Sequence, residues 1–336
     1  MEQFIRYGFN AENIPSYDCS IMNVTKEEWF ARGDKHVTLG VGFVIYGTIT
    51  QCLYFLIMSA MWKLKNNNSV YKIMLLLAAF DVAEIGIGSH FSGYLWIIGS
   101  SYCAQPNLNY ILGCSVLGVW ACTCIGSLTL VTHRLTDLWD RSLHDKLFEG
   151  KRMYFWLTAP SVYASYFWFF TTPSTFNSTM KTFFYDPFIT GTMEEMTQYY
   201  NMPAVANNIF IVVVNCTLYG ILIIVWSYKY GSQAVTQNTM IQRSITIQSI
   251  LICSCTLIAS FMYTYMMFFV IPNWMILGSH VIWQISHGIP AYVYLIMNKT
   301  IRQSVLRNCG LRPGTTVTAV TSNQSFTRER QPSVIY

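Results

Sequence analysis

Long apolar blocks alternate with short polar stretches along almost the whole chain. They fall at residues 37–62, 73–98, 110–131, 153–170, 204–226, 245–271 and 275–297. A helix needs about 20 apolar residues to cross the roughly 30 Å hydrocarbon layer of a bilayer. Five of the seven blocks hold no acidic or basic side chain; the second carries Asp81, Glu84 and His90, and the seventh His280 and His287. Core helices of soluble proteins average about 11–12 residues. The pattern therefore predicts an all-α fold, a seven-transmembrane helix bundle over 37–298. A polar N-terminal segment, 1–36, precedes it, and an amphipathic helix with a disordered tail, 299–336, follows it. The segment 1–36 has no apolar core like that of a cleavable signal, so the first block serves as its own insertion signal.

Composition narrows the class further. Of 336 residues, 53% are hydrophobic, 16% aromatic and 11% charged, against about 25% charged in an ordinary soluble domain. So few charges exclude a disordered protein, a coiled coil and a nucleic-acid binder. Orientation follows from the loops, because Lys and Arg collect on the cytoplasmic side. With the N-terminus outside, the inner segments hold 16 of the 21 Lys and Arg residues; the outer ones hold Arg6, Lys26, Arg32, Lys35 and Lys181. The net charge of +5 reflects that asymmetry. Asn23 and Asn177 open glycosylation sequons on the outer side, whereas the matches at Asn215, Asn298 and Asn323 fall in a span or inside.

Seven of the ten cysteines lie within spans, where a thiol is a small apolar group. Cys309 follows the last span and is a candidate for palmitoylation, with an idle cysteine the alternative. Only Cys19 and Cys103 face the oxidising side. They are the one pair available for a disulfide; two free thiols are the alternative.

Ionisable groups inside a bilayer are costly and mark function. Asp81 and Glu84 stand one helical turn apart on nearly one face. Two such carboxylates do not both ionise in a low dielectric, so one keeps its proton. Three roles compete for Asp81: a sodium ion with a water network, a proton relay, or a cap on neighbouring helices. His280 and His287 are seven residues apart, roughly 10 Å along the helix. Zinc ligands on one helix are spaced i and i+4, so these two hydrogen-bond within the bundle or line a pocket, and no metal is expected. The last span lacks a lysine, which excludes a retinal Schiff base.

Aromatic residues crowd the outer halves of the spans: Trp96, Tyr163, Tyr166, Trp168, Phe169, Phe261, Tyr263, Tyr265 and Trp283. Interfacial belts account for part of them. The rest suit a deep apolar pocket for a small organic molecule, with Trp120 and Trp283 facing inward. The candidate ligand-binding set is Trp96, Trp120, Phe261, Tyr265, His280, Trp283 and His287.

Further pieces stand in order along the chain: Tyr17-Asp18-Cys19-Ser20 with Glu28-Trp29, Gly40 and Tyr46-Gly47, and Leu77-Ala78-Ala79-Phe80-Asp81. Gly113 with Trp120, His133-Arg134, Trp283 with His287-Gly288, Pro290, and Tyr294 through Arg302 complete the series. In these pieces the chain, from Tyr17 to Cys309, resembles the nematode serpentine receptor class T chemoreceptors, a family of G-protein-coupled receptors.

The resemblance implies a receptor that takes a small odorant-like molecule in its outer half and activates a heterotrimeric G protein in the cytosol. The location it implies is the plasma membrane of sensory-neuron cilia. No enzymatic activity is implied. By the same resemblance Asp81 matches a sodium-site aspartate. Arg134 is the arginine that meets the G protein, Pro290 and Tyr294 relay the opening of the bundle, and 298–308 is the amphipathic inner helix. Several positions depart from the rhodopsin-like pattern. His133 and Leu135 flank Arg134, Pro290 stands four residues before Tyr294, and the sixth span lacks Cys-Trp-x-Pro. Residues 171–203 contain no cysteine to bridge to the third span. A ligand-gated channel and a small-solute transporter are the alternatives, the latter without the internal repeat that many transporters show.

Overall fold

The computed structural model describes residues 1–22, 24–66, 69–188, 198–230, 237–269 and 272–311. Two short helices, α1 (Glu2–Arg6) and α2 (Lys26–Arg32), lie in the N-terminal segment. The second starts at a capping box: Thr25 accepts from the Glu28 N–H while the Glu28 carboxylate accepts from the Thr25 N–H.

Seven long helical segments follow the seven apolar blocks. They are α3 (Val37–Leu64); α4 (Val70–Ile85), continued through a π-turn at Gly86–Phe91 into α5 (Ser92–Ile98); α6 (Pro106–Trp139); α8 (Arg152–Phe170); α9 (Met202–Tyr230); α10 (Gln237–Phe268); and α11 (Asn273–Met297). A short helix, α7 (Arg141–Phe148), joins α6 to α8 and begins where Asp140 accepts from the Ser142 N–H. Asn298 caps α12 (Lys299–Asn308) in the same way, through the Ile301 N–H. Pro106 opens α6 at a position where the missing N–H costs nothing. Pro290 sits buried inside α11.

The helix α6 is the hub. In its most apolar 18-residue window 78% of residues are buried, against 22% in both α3 and α9. It touches α4, α8, α9 and α10, and α11 closes the ring against α3, α4 and α10. Between membrane helices, packing rather than water exclusion provides the attraction, so small residues let backbones approach. A Cβ on Gly40 of α3 would stand 2.4 Å from the Gly93 carbonyl oxygen of α5, which only glycine tolerates. The outer surface of the ring is bare and apolar, with Ile45, Phe55, Phe155, Val162, Val213 and Ile224 exposed, as a bilayer-facing surface requires.

At the end of the bundle that carries the N-terminus, the chain between α8 and α9 turns back as a two-stranded hairpin, β1 (Thr175–Asn177) and β2 (Thr182–Phe184). Cys19 and Cys103 form a disulfide that ties the N-terminal segment to the loop after α5. The last helix, α12, packs against α3 at the opposite end.

Candidate functional site

Beneath the hairpin lies a cavity of about 70 Å³ lined by Val116, Leu117 and Trp120 of α6, Ala204, Val205 and Asn208 of α9, Tyr263 of α10 and Trp283 of α11; Ser174, Phe183 and Tyr185 form its roof. A water occupies roughly 10–15 Å³ on this measure, so the space holds several waters or a compact organic molecule. Its walls are apolar and aromatic apart from a few polar groups. One is the Asn208 carbonyl, which accepts from Trp120 Nε1 at 2.9 Å. That composition is typical of small-molecule sites.

The hairpin reaches the cavity without a disulfide to the bundle. Asn109 Oδ1 accepts from the Phe176 N–H at 3.2 Å, and the Ser178 N–H donates to the Ser100 carbonyl at 3.0 Å. Thr182 Oγ1 lies 3.2 Å from His280 Nδ1. Gly113 makes room: a Cβ there would lie 1.6 Å from the Ser174 carbonyl oxygen. The loop backbone therefore rests directly on α6.

Of the residues expected around a ligand, Trp120 and Trp283 are on the cavity wall. Trp96 and His280 are fully buried beside it, in a cluster with Phe43 and Phe176; His280 Nε2 also lies 3.1 Å from the Gly88 carbonyl. His287 lies deeper, its ring centroid 5.8 Å from that of Trp120. Phe261 does not face the pocket. It is 57% exposed on the outside of α10 and stacks on Tyr265, which stacks in turn on Phe269. The reason is helical geometry. Residues two apart point about 200° apart, so Tyr263, which does line the cavity, turns both Phe261 and Tyr265 away.

Below the two tryptophans, α3, α4 and α11 meet around Asp81. Its Oδ1 lies 2.8 Å from His287 Nδ1 and its Oδ2 2.9 Å from the Tyr54 hydroxyl. Glu84 is fully buried, with Oε1 3.9 Å from His287 Nε2.

This arrangement has known relatives. The family model described as "Serpentine type 7TM GPCR chemoreceptor Srt" matches residues 3–316. The chain belongs to that family. Serpentine receptor class T-55 of Caenorhabditis elegans is 27% identical over 299 residues, covering 88% of this chain and 81% of that protein. Squid rhodopsin superposes with a TM-score of 0.61 over 85% of this chain and 87% of its own, at 11% identity. The protein is thus a multi-pass seven-transmembrane receptor and not an enzyme.

At the other end of the receptor, Arg134 sits half-buried in α6. Its neighbour His133, where the rhodopsin pattern has an acid, is fully buried. His133 Nε2 lies 2.9 Å from Ser69 Oγ, ahead of α4, and 3.2 Å from His144 Nε2 of α7. Asp145 Oδ1 lies 3.1 Å from His144 Nδ1 and thereby orients that ring. A hydrogen-bonded histidine pair thus stands next to Arg134 in the chain, and Arg134 forms no ion pair among the described residues. Lys229 Nζ donates to the Leu138 carbonyl at 2.6 Å, joining α9 to the end of α6. Tyr294 is buried among Tyr54, Met74 and Leu130.

Asn177 is at the hairpin, its Oδ1 accepting from the Met180 N–H; Asn23 lies outside the described residues. Cys309 is exposed at the end of α12.

Sequence reasoning missed Tyr54, Asn208, Ser174, Phe183, Tyr185 and the partners of His133. The adjacent amides Asn207-Asn208 in the largely apolar fifth span were the one signal available, since buried amides in a membrane need partners. The hairpin residues carried no signal, because their place depends on how the loop folds back.

Proposed function

We propose that this receptor binds a small, largely apolar odorant-like molecule in the cavity between α6, α9, α10, α11 and the hairpin, and signals through a heterotrimeric G protein at the opposite end. The observation that carries the reading is the aromatic cavity with its Trp120–Asn208 pair, roofed by the hairpin. A ligand that displaces Trp283 or Trp120 moves His287, which both rings contact, and so acts on the junction of α3, α4 and α11. A ligand shifts the receptor only by preferring one helix arrangement to another. Because the cavity is small here, a larger ligand binds an arrangement with the hairpin lifted.

The inner end supplies the coupling surface. Arg134 and Lys229 stand there, and Tyr294 connects it to the Asp81 junction through packing with Tyr54. The N-terminus and hairpin then face outside, with glycans at Asn23 and Asn177 and a palmitoyl group at Cys309. The receptor belongs in the plasma membrane of chemosensory cells, at their cilia.

The test is an odorant panel on cells expressing the receptor, read by calcium and by G-protein activation. A hit should lose at least tenfold in potency with Trp283→Ala. Arg134→Ala should abolish G-protein activation while leaving surface expression intact. A response that survives removal of all G proteins would favour a channel, and uptake of labelled solute a transporter.

A further inference from the structure

The hydrogen bonds around Asp81 can be counted proton by proton. The Tyr54 hydroxyl has one proton and two partners within reach: the His287 carbonyl oxygen at 2.6 Å and Asp81 Oδ2 at 2.9 Å. Tyr54 and His287 are both essentially inaccessible, and Asp81 is nearly so, so no bulk water supplies a further donor. The carbonyl has no proton and accepts the shorter bond. The Tyr54 proton is then spent, and the 2.9 Å contact needs another, which the carboxyl group of Asp81 can provide. On the other side, His287 Nδ1 lies 2.8 Å from Asp81 Oδ1, and as an N–H it donates to that oxygen.

We infer that Asp81 is held as a neutral carboxylic acid, a proton occupying the position in which the resemblance to rhodopsin-like receptors places a sodium ion. The ring closes on itself: the Asp81 O–H donates to Tyr54, Tyr54 donates to the His287 carbonyl, and the His287 imidazole donates back to Asp81. Both Asp81 oxygens, the Tyr54 hydroxyl and His287 Nδ1 are satisfied in it; only His287 Nε2 stands outside the ring, 3.9 Å from Glu84 Oε1, and satisfied polar atoms are what make a buried network stabilising.

A sodium ion does not fit at Asp81. A hard cation requires several oxygen ligands, yet both Asp81 oxygens are occupied by protein partners. The next carboxylate, Glu84, takes no part in the ring, its Oε1 standing 3.9 Å from His287 Nε2, beyond hydrogen-bond range. The ring joins α3, α4 and α11 side by side, so Asp81 acts as a positioning residue whose proton locks three helices.

Two measurements on the purified full-length receptor test this without an identified ligand. Thermal unfolding is compared in sodium chloride and in choline chloride at equal ionic strength. The expected result is no shift between the two salts. Selective stabilisation by sodium would overturn the proposal. The second is the infrared difference spectrum of wild type minus Asp81→Asn. The expected signature is loss of a protonated carboxyl C=O stretch; loss of carboxylate bands instead would overturn the assignment. Asn mimics the neutral acid, since its amide N–H can donate to Tyr54 while its oxygen accepts from His287. Asp81→Asn should therefore melt close to wild type, whereas Asp81→Ala, which breaks the ring, should melt well below it. If Asp81→Asn melts as low as Asp81→Ala, the neutral-acid reading fails.

Discussion

The indole N–H of Trp120 and the side-chain carbonyl of Asn208 meet at 2.9 Å across the gap between α6 and α9. The bond fixes the ring plane that forms one wall of the cavity beneath the hairpin. Asn208→Ala should leave a buried N–H unpartnered and cost roughly 1–3 kcal/mol, read as a lowered thermal unfolding temperature. Adding Trp120→Phe, which removes the stranded donor, should recover part of the loss. If the two losses simply add, the bond is not what orders this wall.

Gly113 is the seat of the hairpin. Gly113→Ala places a methyl group where the Ser174 carbonyl now rests, 1.6 Å away, so the loop must lift. Hydrogen exchange of amides in 174–184 should accelerate by an order of magnitude or more, about 1.4 kcal/mol per factor of ten. Exchange in α4 should stay unchanged. Protection of the hairpin equal to wild type would argue against this close contact.

His133 and His144 hold the inner ends of α4, α6 and α7 together. Because buried, hydrogen-bonded neighbours couple by about 0.5–3 kcal/mol, a double-mutant cycle of His133→Ala and His144→Ala should be clearly non-additive in thermal stability. Each single variant should also raise signalling in the absence of ligand, because the pair ties α6, beside Arg134, to α7 and to Ser69 ahead of α4. A silent, fully additive pair of variants would make both histidines mere packing.

The N-terminal cap is built on Tyr17, buried against Tyr102, Tyr110 and Tyr199. Burial first, then the neighbouring Tyr110 and Tyr102 phenols, push its own phenol well above the ordinary range. A phenol raised in the folded state stays neutral there while the unfolded chain ionises at about pH 10. Its contribution is complete below that pH and is lost as pH rises towards the folded value. Alkaline unfolding of residues 1–22 should therefore begin near pH 10, and Tyr17→Phe should blunt its pH dependence. An identical alkaline profile in the two proteins would exclude Tyr17 as the responsible group.

The amino-acid sequence by itself determined the architecture. Seven apolar blocks, five of them free of acidic and basic side chains, are each long enough to cross lipid as a helix that satisfies its own backbone hydrogen bonds. The loop cysteines left one pair on the oxidising side, Cys19 and Cys103, and the structure joins them. Trp120 and Trp283 could be picked out as inward-facing, yet Phe261 and Tyr265 could not be separated from Tyr263. That choice is a rotation of α10 about its axis, and a helix apolar all round carries no moment to set it. Only the tertiary structure decided which nitrogen of His287 faces Asp81, that Tyr54 completes the ring, and that a hairpin from 175–184 roofs the cavity. Those are contacts between residues as many as 233 positions apart in sequence. They depend on close packing, where a glycine such as Gly113 matters only through what happens to lie above it.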